Sequence, residues 1–137
     1  FRSFEEGSPG WEQMRAALRE IGDVSRARGT PVVFMMFPTF FTGECTAATY
    51  PFRPIVDRVS AVANEAGLDV LDLTAAFAAE GGDWHRWWAT PYDAHPSSAA
   101  HAVAARALAS HIERRGWLAN SPIPREHRQA DGNGGGH

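Results

Sequence analysis

The chain has 137 residues, a net charge of −3 and 44% hydrophobic residues, which is one domain's worth of sequence with enough apolar content to bury a core. Thirteen Lys and Arg stand against sixteen Asp and Glu, with no basic cluster on one face, so nucleic-acid binding has no electrostatic footing. A single cysteine, Cys45, excludes a disulfide framework within the chain, and the longest apolar run, Val32 to Pro38, is far too short for a membrane segment.

Ser8-Pro9-Gly10 marks a helix start, and Trp11, Met14, Leu18, Ile21 and Val24 then recur at three- and four-residue spacing. This predicts an amphipathic helix ending near Gly29, with those five residues on its core face. Val32 to Phe37, bounded by Pro31 and Pro38, reads as a strand buried on both faces. Thr39 to Pro51 lacks any period and is expected to be a loop, the place where α/β proteins put ligands after a parallel strand. Phe52 to Gly67 repeats the helical pattern, and Leu68 to Leu73 forms a second short strand. Thr74 is expected to cap a brief helix over Ala75 to Glu80, which Gly81-Gly82 breaks. An irregular, Trp-rich stretch leads to Asp93, and Pro96 opens a last, Ala-rich helix ending at Gly116.

Alternating helices and strands imply an α/β fold with a parallel sheet flanked by helices. Residues 1–118 are expected to form the domain, and residues 119–137 a flexible, polar, Gly-rich tail. Two strands alone leave two unpaired edges, so further strands are expected from sequence upstream of Phe1.

Asp93-Ala-His95-Pro96 carries the chemistry. It sets a carboxylate two residues from an imidazole at the mouth of a helix, and Pro96 keeps His95 out of the helical region. Asp93 is near enough to reach Nδ1, fix the tautomer and leave Nε2 as a base. Asp93 as a plain turn residue, with His95 a bystander, is the structural alternative. A metal reading would gather Asp93, His95 and His101, with His85, although the spacing matches no specific geometry. Cys45 has no motif around it and reads as an ordinary loop thiol.

Trp88-Ala-Thr-Pro-Tyr-Asp93-Ala-His95-Pro96-Ser97-Ser-Ala-Ala-His101, followed by an Ala-rich helix, resembles the last sequence block of the SGNH (GDSL-type) hydrolases. Gly29 to Pro38 is similar to the strand before that family's variable active-site loop. Tyr50-Pro-Phe52, the helix after it, Gly67 to Leu73 and Phe77 are similar to its run-up to the His block. The resemblance covers roughly residues 8 to 118. It implies the C-terminal portion of a three-layer α/β/α, flavodoxin-like domain of a carboxylic-ester hydrolase, a serine esterase or O-acyl hydrolase. Asp93 and His95 would supply two members of a Ser-His-Asp triad, with no metal and no cofactor. The spacing Asp-x-His replaces the commoner Asp-x-x-His, a variant met among bacterial members. The family's Gly-Asp-Ser block and oxyanion-hole Gly and Asn have no counterpart here, since Ser3 and Ser8 lack the Gly-Asp context and Asn64 falls in a helix.

The resemblance therefore implies a nucleophile upstream of this chain, in a missing N-terminal part of the same domain, and inactivity of the 137 residues alone. The substrate class is an ester or O-acylated small molecule, carbohydrate or lipid, with transfer to a sugar and hydrolysis by water equally open. Phe40, Phe41, Trp87 and Trp88 are candidates to line the substrate site. A non-catalytic binding or structural domain retaining the fold is the alternative function, and a metal-dependent enzyme the third.

Overall fold

A computed structural model describes residue 5 and residues 7–118; the expected tail over residues 119–137 lies outside the described residues. Helix α1 spans Pro9–Arg28, strand β1 Val33–Met36, helix α2 Arg53–Glu65, strand β2 Asp69–Asp72 and helix α3 Thr74–Ala79. A 3-10 turn at Trp84–Trp87 leads into strands β3, Trp88–Thr90, and β4, Asp93–Pro96, and helix α4 follows at Ser98–Arg114.

The ends of α1 form as its sequence dictates. Ser8 accepts a hydrogen bond from the Trp11 N–H at 3.2 Å, and Pro9 occupies the first turn, where its missing N–H costs nothing. Gly29 takes φ 60°, and the N–H groups of Gly29 and Thr30 turn back to the Arg26 and Ser25 carbonyls. Helix α4 starts two residues later than the sequence suggests. Pro96 belongs to β4, and Ser97 caps the helix by accepting from the Ala100 N–H at 3.2 Å. Thr74 is likewise not a cap. It is the first residue of α3, fully buried, and both its N–H (2.9 Å) and its hydroxyl (2.6 Å) donate to Asp72 Oδ1.

β1 and β2 pair in parallel, Val33 opposite Asp69 through Met36 opposite Asp72. Side chains alternate across this pair and feed two separate clusters. Met35, Phe37 and Leu71 join Leu73, Phe77, Trp84, Trp87 and the α4 residues Val103 and Ala104. Phe34, Met36 and Val70 join Trp11 and Leu18 of α1 and Val59, Val62 and Ala63 of α2. Helices thus cover both faces of a sheet that holds only two parallel strands among the described residues. Each large apolar side chain so buried stabilises the fold by roughly 1.5–3 kcal/mol. The fold is mixed α/β with a small parallel sheet.

Two further expectations fail. Ile21 and Val24 are not core residues. They stand 44% and 46% exposed, because among the described residues no element covers that part of α1. The stretch before Asp93 is also not irregular throughout, since β3 and β4 form an antiparallel hairpin pairing Trp88 with Pro96 and Thr90 with Asp93.

Candidate active site

The β3–β4 hairpin carries Asp93 and His95 together. Its turn holds Pro91 and Tyr92, and β4 then carries Asp93 and His95 to the start of α4. Asp93 Oδ1 accepts from the His95 backbone N–H at 3.0 Å and lies 2.5 Å from His95 Nδ1. One carboxylate oxygen therefore closes the turn and orients the ring together. With the proton on Nδ1, His95 Nε2 is left as the acceptor, the arrangement a general base requires. The His95 backbone N–H, and then its ring, hold the Asp93 carboxyl below the ordinary carboxylate value. The His95 side chain is 87% exposed, so Nε2 opens to solvent.

The hairpin has its own supports. Ser97 N–H donates to the Trp87 carbonyl at 2.8 Å, fastening its base to the 3-10 turn. The His85 ring packs on Trp88 with centroids 4.5 Å apart, and its Nε2 lies 3.5 Å from the Pro91 carbonyl oxygen. His85 thus braces the hairpin from below. Asp83 ties this region to the loop after β1: its Oδ1 accepts from Gly43 N–H at 2.7 Å and His85 N–H at 2.8 Å, while Trp84 N–H donates to the Gly43 carbonyl at 2.8 Å. Those two backbone bonds hold the Asp83 carboxyl below its ordinary value. The sequence reading missed His85 and Asp83 as supports. The available signal was an Asp two residues before a His, at the break made by Gly81-Gly82.

The candidate lining residues divide. Phe40 and Trp87 are each 3% exposed and pack on Phe77 with ring centroids 4.8 and 5.3 Å away, so they fill the core instead of facing a substrate. Phe41 is half-buried against Trp84 and Tyr50, and Trp88 is half-buried against His85. The indole N–H groups of Trp84, Trp87 and Trp88 meet no acceptor among the described residues. Tyr50 is buried too, its hydroxyl accepting from the Thr39 N–H at 2.7 Å and anchoring the start of the loop.

Among the described residues no Ser, Thr or Cys hydroxyl or thiol bonds to His95 Nε2. The Ser97 hydroxyl is engaged as the α4 cap. Cys45 sits half-buried against the aromatic cluster, where burial pushes its thiol up and away from the reactive thiolate. Asn64 lies on α2, as expected. His101 sits on α4 with its ring edge against Phe37, centroids 5.6 Å apart. No group of three or more His, Cys, Asp or Glu side chains converges as a metal would need among the described residues, so Asp93, His95, His101 and His85 do not assemble the cluster of the metal reading. No described helix is long and apolar enough to cross a membrane.

Comparison with protein-family models, with curated proteins and with solved structures finds no match for this chain.

Proposed function

We propose that this chain is the C-terminal, base-bearing portion of an SGNH-type serine esterase or O-acyl hydrolase with a three-layer, flavodoxin-like fold. The observation that carries the reading is the Asp93–His95 pair, a 2.5 Å contact to Nδ1 with Nε2 turned out to solvent, on a hairpin that runs straight into α4. In the complete enzyme a serine from polypeptide outside this chain attacks the ester carbonyl. His95 Nε2 takes the hydroxyl proton and returns it to the leaving alcohol, and Asp93 stabilises the imidazolium formed between those steps. The donors that receive the oxyanion come from the same outside polypeptide. The substrate is an ester or O-acylated small molecule, carbohydrate or lipid, and Phe41 and Trp88 are the aromatic residues left to border it.

The test uses two proteins. The 137-residue chain is expected to leave a short-chain aryl ester untouched. The longer polypeptide encoded with it is expected to hydrolyse that ester, with kcat reduced about a thousandfold or more by His95→Ala. Turnover by the 137-residue chain that His95→Ala abolishes would overturn the claim of an external nucleophile. A longer polypeptide whose ester turnover ignores both His95→Ala and Asp93→Ala would sink the enzyme reading, and leave a binding or structural domain that keeps the fold.

A further inference from the structure

Gly43, on the loop between β1 and α2, meets the segment at Asp83 and Trp84 with both of its backbone groups. Its N–H donates to Asp83 Oδ1 at 2.7 Å, and its carbonyl accepts from Trp84 N–H at 2.8 Å. The carboxylate oxygen thus stands where the carbonyl of an antiparallel strand partner would stand. Gly43 reaches this pairing at φ 114°, a conformation that side chains disfavour. A Cβ there would meet nothing within 4 Å, so the glycine serves its backbone shape and not close packing.

The same oxygen of Asp83 also accepts from His85 N–H at 2.8 Å, closing the turn that opens the 3-10 segment. The His85 ring packs on Trp88, and its Nε2 lies 3.5 Å from the Pro91 carbonyl oxygen at the hairpin tip. A path of contacts therefore runs from the loop, through one carboxylate oxygen, to the turn just ahead of Asp93. Short hairpins are marginal by themselves, and β3 and β4 pair in an irregular register, so support from outside matters. The start of the loop is fastened too, where the Tyr50 hydroxyl accepts from Thr39 N–H at 2.7 Å. Phe41 lies between these two fastenings and rests on Trp84, ring centroids 5.6 Å apart. The Asp83 side chain is exposed, so its contribution is hydrogen bonding and not packing.

We propose that Asp83 is a positioning residue: its carboxylate clasps the loop after β1 to the hairpin that bears His95, and so sets the spacing between Phe41 and Trp88 that admits the substrate. The positioning role rests on the function proposed above; the clasp itself does not. Asp83 acts through Gly43 and His85, by holding a border of the site in place. Loss of such a hold weakens the binding of substrate and transition state alike, which raises KM and spares kcat.

Two experiments read the clasp and its role separately. In the 137-residue chain the amide proton shifts of Gly43 and His85 are expected to titrate together, with one midpoint below the ordinary carboxylate range. Asp83→Asn is expected to abolish that titration and to keep the Gly43 amide protected, because the side-chain amide oxygen still accepts. In the longer encoded polypeptide Asp83→Ala is expected to raise KM for an aryl ester about tenfold and to keep kcat within about twofold. Asp83→Asn is expected to restore most of the parent KM. Gly43→Ala opens the same clasp from its other side, so the double variant is expected to raise KM no further than the larger single effect. A Gly43 amide indifferent to the acid titration would remove the clasp. An unchanged KM in Asp83→Ala, a loss confined to kcat, no rescue by Asp83→Asn, or additive effects of the two alanine variants would overturn the positioning role. Ester turnover that still requires His95 would in those cases leave the proposed function standing. A longer polypeptide without ester turnover would remove function and positioning role together, while the titration still reads the clasp.

Discussion

Gly22 is buried where α1 meets the end of α2, and its replacement by alanine isolates the packing of these helices. A Cβ at this position would stand 1.9 Å from the Ala66 carbonyl oxygen and 3.0 Å from its carbon. Carbon–oxygen contacts settle near about 3.3 Å, so the helices must part by about 1.4 Å or α1 must tilt. Both atoms are backbone, and no side-chain rotation relieves the clash. The separation also stretches the 2.8 Å bond from Arg26 to that same carbonyl. Overpacking of this kind costs roughly 1–3 kcal/mol, and a clash with backbone belongs in the upper half of that range. Alanine recovers about 1 kcal/mol of helix propensity over glycine. The net effect of Gly22→Ala is therefore a loss of about 1–2 kcal/mol, which lowers the urea midpoint of a small domain by roughly 1 M. Equilibrium urea unfolding followed by tryptophan fluorescence reads this directly. A midpoint equal to or above that of the parent would refute the argument, because propensity would then outweigh contact.

Two further outcomes concern charge. Asp69 is largely buried, which pushes its carboxyl up, but hydrogen bonds from Arg115 and from His111 Nε2 at 2.8 Å outweigh this and hold it below 3.8. A carboxyl depressed in the folded state contributes stability above its unfolded value and loses it as pH falls through the folded one. Asp69→Asn is thus expected to be less stable than the parent at pH 6, and the gap should narrow as pH falls below the ordinary carboxylate range; urea midpoints with an equal gap at neutral and at acid pH would contradict the assignment. At the dyad, neutral His95 is expected to carry its proton on Nδ1 in the parent and to shift toward Nε2–H in Asp93→Ala. Ring nitrogen chemical shifts at alkaline pH report this, and an Nε2–H tautomer already dominant in the parent would dissolve the dyad.

The long elements were legible because their burial follows a period. Trp11 and Leu18 recur at helical spacing, and the unbroken run Val33 to Met36 reads as a strand. Periodicity gives a face, however, and not the neighbour that covers it, which is why Ile21 and Val24 read as core and stand exposed. The β3–β4 hairpin was hidden because its strands show neither a continuous apolar run nor alternation and pair in an irregular register. Its one local sign was Thr90-Pro91-Tyr92-Asp93, with proline where a tight turn accepts it. The Asp93–His95 contact was legible because a two-residue separation leaves the carboxylate few places to go. Phe40 and Trp87 were not, since an aromatic near a site reads the same from sequence whether it faces the substrate or Phe77.

The openness of the His95 ring has a dielectric consequence. Two opposite unit charges 4 Å apart attract by about 1 kcal/mol in water and about 4 kcal/mol at the effective permittivity of a covered protein surface. At 87% exposure a protonated His95 beside Asp93 sits close to the first limit. Covering the hairpin would raise that attraction several-fold with no change in the 2.5 Å contact. Anything laid over β4 would therefore strengthen the attraction between Asp93 and a protonated His95 without moving either group.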